Sequence, residues 1–117
     1  IRREVKNGCI EIGGASFDLS KCIGEKIAAY EGKEIVFGFR PEAIALGEQE
    51  NAFTTAGTVE LTEMLGDNAN VYVDIDDDKS ILKVTPHEIP EMDTKIAFSI
   101  PCESVYLFDA QTEMVIK

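Results

Sequence analysis

Few residues in this chain carry the chemistry of a catalyst. His87 is the only histidine. It lies in Pro86-His87-Glu88 with no visible acid–base partner, and it reads as a loop residue. The cysteines, Cys9, Cys22 and Cys102, are odd in number and widely spaced, with no CxxC pair. Zinc and dithiol motifs are therefore unsupported, and reduced thiols in a cytosolic protein are the expected state. Asp74-Ile75-Asp76-Asp77-Asp78 copies the first, third and fifth positions of a calcium loop. Lys79 then stands where that loop needs glycine, and Thr85 where it needs glutamate, so the run reads as a solvated hairpin tip. The phosphate loop GxxxxGK[ST], the dinucleotide pattern GxGxxG and the nucleophile elbow GxSxG are all absent. No catalytic, cofactor-binding or metal-binding residue is expected.

What remains is a corner. In Phe37-Gly38-Phe39-Arg40-Pro41-Glu42-Ala43-Ile44 a strand runs into a proline flanked by opposite charges. Pro41 removes a ladder donor and keeps Arg40 out of the helical region. Two readings stand side by side. The guanidinium satisfies turn carbonyls or a carboxylate, or the corner Arg40-Pro41-Glu42 faces a partner domain. Phe108 is a further candidate contact. It follows Leu107, and on a strand one of the two must point away from the interior. A small second cluster covering Phe108 is the alternative.

The elements that position these residues are mostly short strands. Ile35, Phe37 and Phe39 alternate with Val36, Gly38 and Arg40, giving one apolar face. Cys9–Ile12 and Ser16–Leu19 flank Gly13-Gly14, a tight hairpin signal. A helix is predicted over Lys21–Tyr30, capped by Ser20 and ended by Gly32, with Leu19, Cys22, Ile23, Ile27 and Tyr30 on one face. Gly24 weakens it by ~1 kcal/mol, so it must depend on packing. Thr54–Leu65 is extended, with Val59, Leu61 and Leu65 on one side and Gly57 marking a bulge or a close backbone approach. Gly66-Asp67-Asn68-Ala69 is a turn before the alternating Val71, Val73 and Ile75. Strands follow at Ser80–Thr85 and around Ile96, Phe98 and Ile100. A last hairpin, Ser104–Phe108 with Glu113–Lys117, closes around Asp109-Ala110-Gln111-Thr112. Seven or more strands with one helix predict an all-β barrel or sandwich.

Composition removes whole classes of function. The 117 residues suit one domain. Eleven basic residues against 22 acidic ones give a net charge of −11. That balance repels phosphate backbones and anionic membrane surfaces. No apolar run approaches the ~20 residues of a membrane-spanning helix. Ile1 is not an initiator methionine, and the chain is expected to be a piece of a longer protein.

Three blocks of residues resemble one family. The first is Gly38-Phe39-Arg40-Pro41-Glu42-Ala43-Ile44. The second is Gly57-Thr58-Val59-Glu60-Leu61-Thr62-Glu63-Met64-Leu65-Gly66, followed by Val71. The third is Pro101-Cys102-Glu103-Ser104-Val105-Tyr106-Leu107-Phe108-Asp109, with Thr112 after it. In this order and spacing they resemble the C-terminal TOBE-type domain of ATP-binding subunits of ABC importers, of the maltose and multiple-sugar branch. Polyol, glycerol-phosphate, polyamine and iron branches carry similar domains. Glu113 stands where the family usually has glycine, so the last turn is expected to differ.

The resemblance implies an OB-like or MOP-like β-barrel with one short helix. Residues 34–117 match the family, and residues 1–33 form a variable hairpin-plus-helix portion. It implies a non-catalytic regulatory and dimerisation domain whose nucleotide-binding domain, with ATP and magnesium, lies outside this chain. Its implied partners are a second copy of the subunit, the transporter's membrane subunits through the missing domain, and in some cases a regulatory protein. Its implied place is cytoplasmic, peripheral at the inner face of the cell membrane. Two other functions compete. A small-ligand, oxyanion-binding barrel needs clustered N–H groups or basic side chains, which this acidic chain does not gather. A nucleic-acid-binding OB barrel needs a basic groove with stacking aromatics, and the net charge and lack of tryptophan oppose it.

Overall fold

A computed structural model of the chain describes residues 1–50 and 52–117. Ten strands appear among them: β1 (Arg2–Glu4), β2 (Cys9–Ile12), β3 (Ala15–Asp18), β4 (Glu34–Phe39), β5 (Ala45–Leu46), β6 (Ala52–Met64), β7 (Ala69–Ile75), β8 (Asp78–Val84), β9 (Lys95–Pro101) and β10 (Val105–Asp109). The short helix α1 spans Ser20–Ile23. Every pairing is antiparallel. A five-stranded sheet has the order β5-β9-β6-β7-β8, a three-stranded sheet has the order β1-β4-β10, and β2 pairs with β3. The all-β, OB-like barrel expected from the sequence is the fold. No helix among the described residues is long and apolar enough to cross a membrane.

Alternation builds the barrel interior. Val71, Val73 and Ile75 of β7 are buried while Asn70, Tyr72 and Asp74 between them are not. Ile35 and Phe37 of β4 and Val105 and Leu107 of β10 face the same core. The first thirty-three residues join this core rather than sitting outside it. Phe17 is 1% exposed, stacks on Phe53 at 4.6 Å between ring centroids, and meets Phe37 edge-on at 5.6 Å. Such aromatic pairs contribute ~0.5–1.5 kcal/mol beyond the area they bury. The β2–β3 turn brings Gly13 against β6, where a Cβ would meet the Ala56 carbonyl at 2.5 Å, and Thr55 Oγ1 donates to the Ile12 carbonyl at 2.5 Å.

The helix differs from its prediction. α1 stops at Ile23, and Gly24–Tyr30 continues as a 3-10 helix. Gly24 at φ +64° breaks the helical path, a conformation that glycine adopts without steric cost. The capping position is Leu19, and the Ser20 hydroxyl instead donates to Asp18 at 2.6 Å. Of the residues in the 3-10 segment only Ile27 is buried.

The cysteines also depart from expectation. Cys22 and Cys102, 80 residues apart in sequence, form a disulfide with a Cα–Cα distance of 5.3 Å, and Cys9 remains free. Sequence spacing carries no information about such a pair, because the tertiary fold, and not a local motif, brings α1 against the turn before β10.

Candidate functional site

The Arg40-Pro41-Glu42 corner is built where β4 runs out. The Arg40 N–H donates to the Ser104 carbonyl at 3.1 Å, and its own carbonyl accepts from Ala43 at 3.1 Å. Its backbone is extended (φ −77°, ψ 122°), as a residue before proline must be. Pro41 then opens a 3-10 turn, Pro41–Ala43, at the position that needs no N–H donor.

Among the described residues, the Arg40 side chain meets neither the turn carbonyl nor the carboxylate expected within the chain. Its Nε donates to the Tyr106 hydroxyl, and the guanidinium carbon lies 5.4 Å from the centre of the Tyr106 ring. The hydrogen bond to Tyr106 is the main cause that raises the already high pKa of Arg40, so the charge persists at every physiological pH. Register explains the pairing. Tyr106 lies directly opposite Gly38, two residues before Arg40 on the same sheet face. Glycine offers no side chain there, so the tyrosine ring is left to the diagonal neighbour. Arg40 remains solvent-exposed on one side.

Phe108 is opposite Val36 in the same ladder, on the outward face that carries Tyr106, while Leu107 is fully buried. Arg40, Tyr106 and Phe108 therefore share the outer face of the three-stranded sheet. Phe108 is half-buried and bridges to Val115 of the returning C-terminal segment. Pro41 and Glu42 lie beyond the sheet end. Glu42 is exposed and lines a shallow cleft of about 380 Å³ with Ile44, Leu46, Asn68, Lys83 and Thr85.

A second outward surface was not foreseen. β6 carries a bulge between Val59 and Leu61. Val59 is fully buried, whereas Leu61 is 51% exposed. One extra residue, Glu60, reverses the faces of everything after it. Leu61 then aligns with Tyr72 and Ile81 in one row across β6, β7 and β8. Gly57 is the close backbone approach predicted for it, since a Cβ there would lie 3.0 Å from the Asp74 carbonyl.

The acidic hairpin is a staple. Asp76 and Asp78 hold Arg3 at 3.3 and 2.9 Å, and Asp76 also accepts the Gly13 N–H at 2.6 Å. Asp74 holds Lys79 at 2.7 Å and accepts the Asp77 N–H, and both lower its pKa, the lysine first. These carboxylates are turned to side chains and backbone of their own chain. His87 is exposed in a 3-10 turn after Thr85.

Comparison with known proteins agrees with this architecture. Residues 37–108 match the family described as the TOBE domain. The oligosaccharides import ATP-binding protein MsmX of Bacillus subtilis (strain 168) is 25% identical over 122 aligned residues, covering 97% of this chain. The chain spans only 33% of that relative. Among solved structures, the cytoplasmic molybdate-binding protein ModG, crystallised with molybdate bound, superposes with a TM-score of 0.67 at 19% identity, over 91% of this chain and 92% of that one. That likeness is one of fold. With well over half of its length inside the matched span, the chain belongs to the TOBE domain family.

Proposed function

We propose that this chain is the accessory domain of the ATP-binding subunit of an ABC-type sugar importer. The observation that carries the reading is the match of almost the whole chain to an oligosaccharides import ATP-binding protein. The domain does no chemistry itself. ATP and magnesium belong to a nucleotide-binding domain outside this chain, where hydrolysis is coupled to solute import. This domain pairs with a second copy of the subunit, the membrane subunits are engaged through the nucleotide-binding domain, and the surface is open to a regulatory protein. The assembly sits at the inner face of the cell membrane. The Arg40-Pro41-Glu42 corner and Phe108 are its partner contacts. A corner stiffened by proline and by the Arg40–Tyr106 contact loses little entropy on docking, which favours that role.

One observation favours a second reading, an oxyanion-binding barrel, namely the superposition on a molybdate-bound protein. Two experiments separate them. In the full-length subunit, removal of residues 34–117 is expected to leave ATP hydrolysis measurable while weakening subunit pairing and sugar uptake. Titrating the chain with molybdate in a calorimeter is expected to give no binding heat. Unchanged pairing and uptake would contradict the first reading, and micromolar molybdate affinity would establish the second.

A further inference from the structure

We infer that the Cys22–Cys102 disulfide is a site of thiol–disulfide exchange, and that its reduction frees α1 and the following 3-10 segment while the barrel stays folded. The bridge joins α1 to the short turn Cys102–Ser104 that leads into β10. It is the strongest link between those two pieces. α1 buries none of its own residues and has no side-chain cap. The seven-residue 3-10 helix after it is long for its kind, and it anchors through buried Ile27 and partly buried Tyr30. Gly24 at φ +64° separates the two as a joint. By contrast, the β2–β3 hairpin is held to the barrel without the disulfide, through Phe17, Thr55 and Asp76. Local opening is governed by such differences in buried contact.

The bridge is also reachable. Both cysteines are only partly buried, and Cys102 lines a cleft of about 420 Å³ with Lys21, Ala52 and Phe53. The reductant is a small dithiol or a redoxin-type protein dithiol. One thiolate of that reductant attacks Cys102 Sγ. The sulfur–sulfur bond breaks, a mixed disulfide forms, and the Cys22 thiolate leaves and takes up a proton. The reductant's second thiolate then attacks its own sulfur in the mixed disulfide and releases Cys102 as a thiolate, which is protonated in turn. The protein disulfide gains two electrons and two protons, and the reductant is oxidised to its disulfide. Lys21 in the cleft wall places a positive charge where the incoming thiolate must arrive. The turn that Cys102 opens also supplies the Ser104 carbonyl that holds the Arg40 N–H, so the exchange takes place one short turn from the corner. This inference does not depend on the transport reading, since it concerns the chain alone.

The test is limited trypsin digestion of the oxidised and dithiothreitol-treated chain, with cleavage sites identified by mass spectrometry. Reduction is expected to speed cleavage after Lys21 and Lys26 by about tenfold or more, with cleavage in β6–β9 unchanged. The Cys22→Ser, Cys102→Ser double variant is expected to match the reduced protein with and without reductant. Equal cleavage of the two redox forms would overturn the inference, as would general unfolding on reduction or a disulfide that resists excess dithiothreitol in the native chain.

Discussion

The outward faces of the three-stranded and five-stranded sheets are made in different ways. On the three-stranded sheet, β4 and β10 alternate without interruption. Ile35 and Phe37 face in, Val36 and Gly38 face out, and Leu107 faces in beside outward Tyr106 and Phe108. The result is a face on which an arginine rests against a tyrosine, so that its most polar group is already engaged. On the five-stranded sheet, β6 carries a bulge, and the row Leu61, Tyr72 and Ile81 comes to the surface. There the apolar groups are left to solvent, with Lys79 held by Glu60 and Asp74 on one flank. The first face follows from sequence period alone, whereas Leu61 joins the second face through one inserted residue.

The largest expected effect tests that bulge. Val59→Ala removes fully buried methyl groups and is expected to destabilise the chain by about 2 kcal/mol. Leu61→Ala, two positions on, is expected to change stability by no more than about 0.5 kcal/mol, because Leu61 is half in solvent. Urea unfolding of both variants measures the pair. Equal losses would place Leu61 in the core and remove the bulge from the account.

A smaller effect concerns the turn after the three-stranded sheet. Glu113 has φ +63°, the left-handed region that favours glycine, and it stands where the family usually has that residue. Asp109 accepts the N–H groups of Gln111 and Thr112 and so closes the turn, while Glu113 bears the strain. Glu113→Gly is expected to raise stability by up to about 1 kcal/mol in the same assay. A loss of stability would show that the glutamate compensates elsewhere.

The smallest effect is on pH dependence. The two N–H bonds that Asp109 accepts, from Thr112 and then Gln111, lower its pKa. The Ser20 hydroxyl and N–H do the same for Asp18, and Lys79 and the Asp77 N–H for Asp74. Carboxyls with lowered folded-state values contribute stability above their unfolded pKa, near 4, and lose it as pH falls through the folded values. The thermal midpoint is expected to be flat from pH 6 to 5 and to fall below about pH 4. All three groups are partly exposed, so solvent screening keeps the decline shallow. A chain whose stability rises on acidification would carry the opposite linkage.

How much of this was legible varies by element, for physical reasons. β4, β7 and β10 were readable because alternation reports burial directly when no residue is inserted. Gly57 was readable because a glycine inside a strand needs a close neighbour, and the Asp74 carbonyl supplies it. The Glu60 bulge was not, since it has no composition signal, so the sequence places Leu61 on the same side as Val59. The helix was read through Gly24 as a propensity cost, but the backbone reverses there. The Cys22–Cys102 pair and the Arg40–Tyr106 contact join residues 80 and 66 positions apart, and only the tertiary fold brings them together. At the corner, the sequence-based expectation of a turn carbonyl or carboxylate for Arg40 gives way to Tyr106, a partner that only the β4–β10 pairing reveals.

The central claim is that the Arg40 corner serves docking more than folding. Its side chain is exposed, and its contacts with Tyr106 lie on the surface. The most direct measurement is Arg40→Ala, read by thermal unfolding of this chain and by subunit association in the full-length ATP-binding subunit. The account predicts a midpoint within a few degrees of the parent chain and an association weakened by about tenfold, the loss of a single well-placed interfacial contact. A large drop in the chain's midpoint, with normal association of whatever protein still folds, would contradict it and make the corner a structural turn alone.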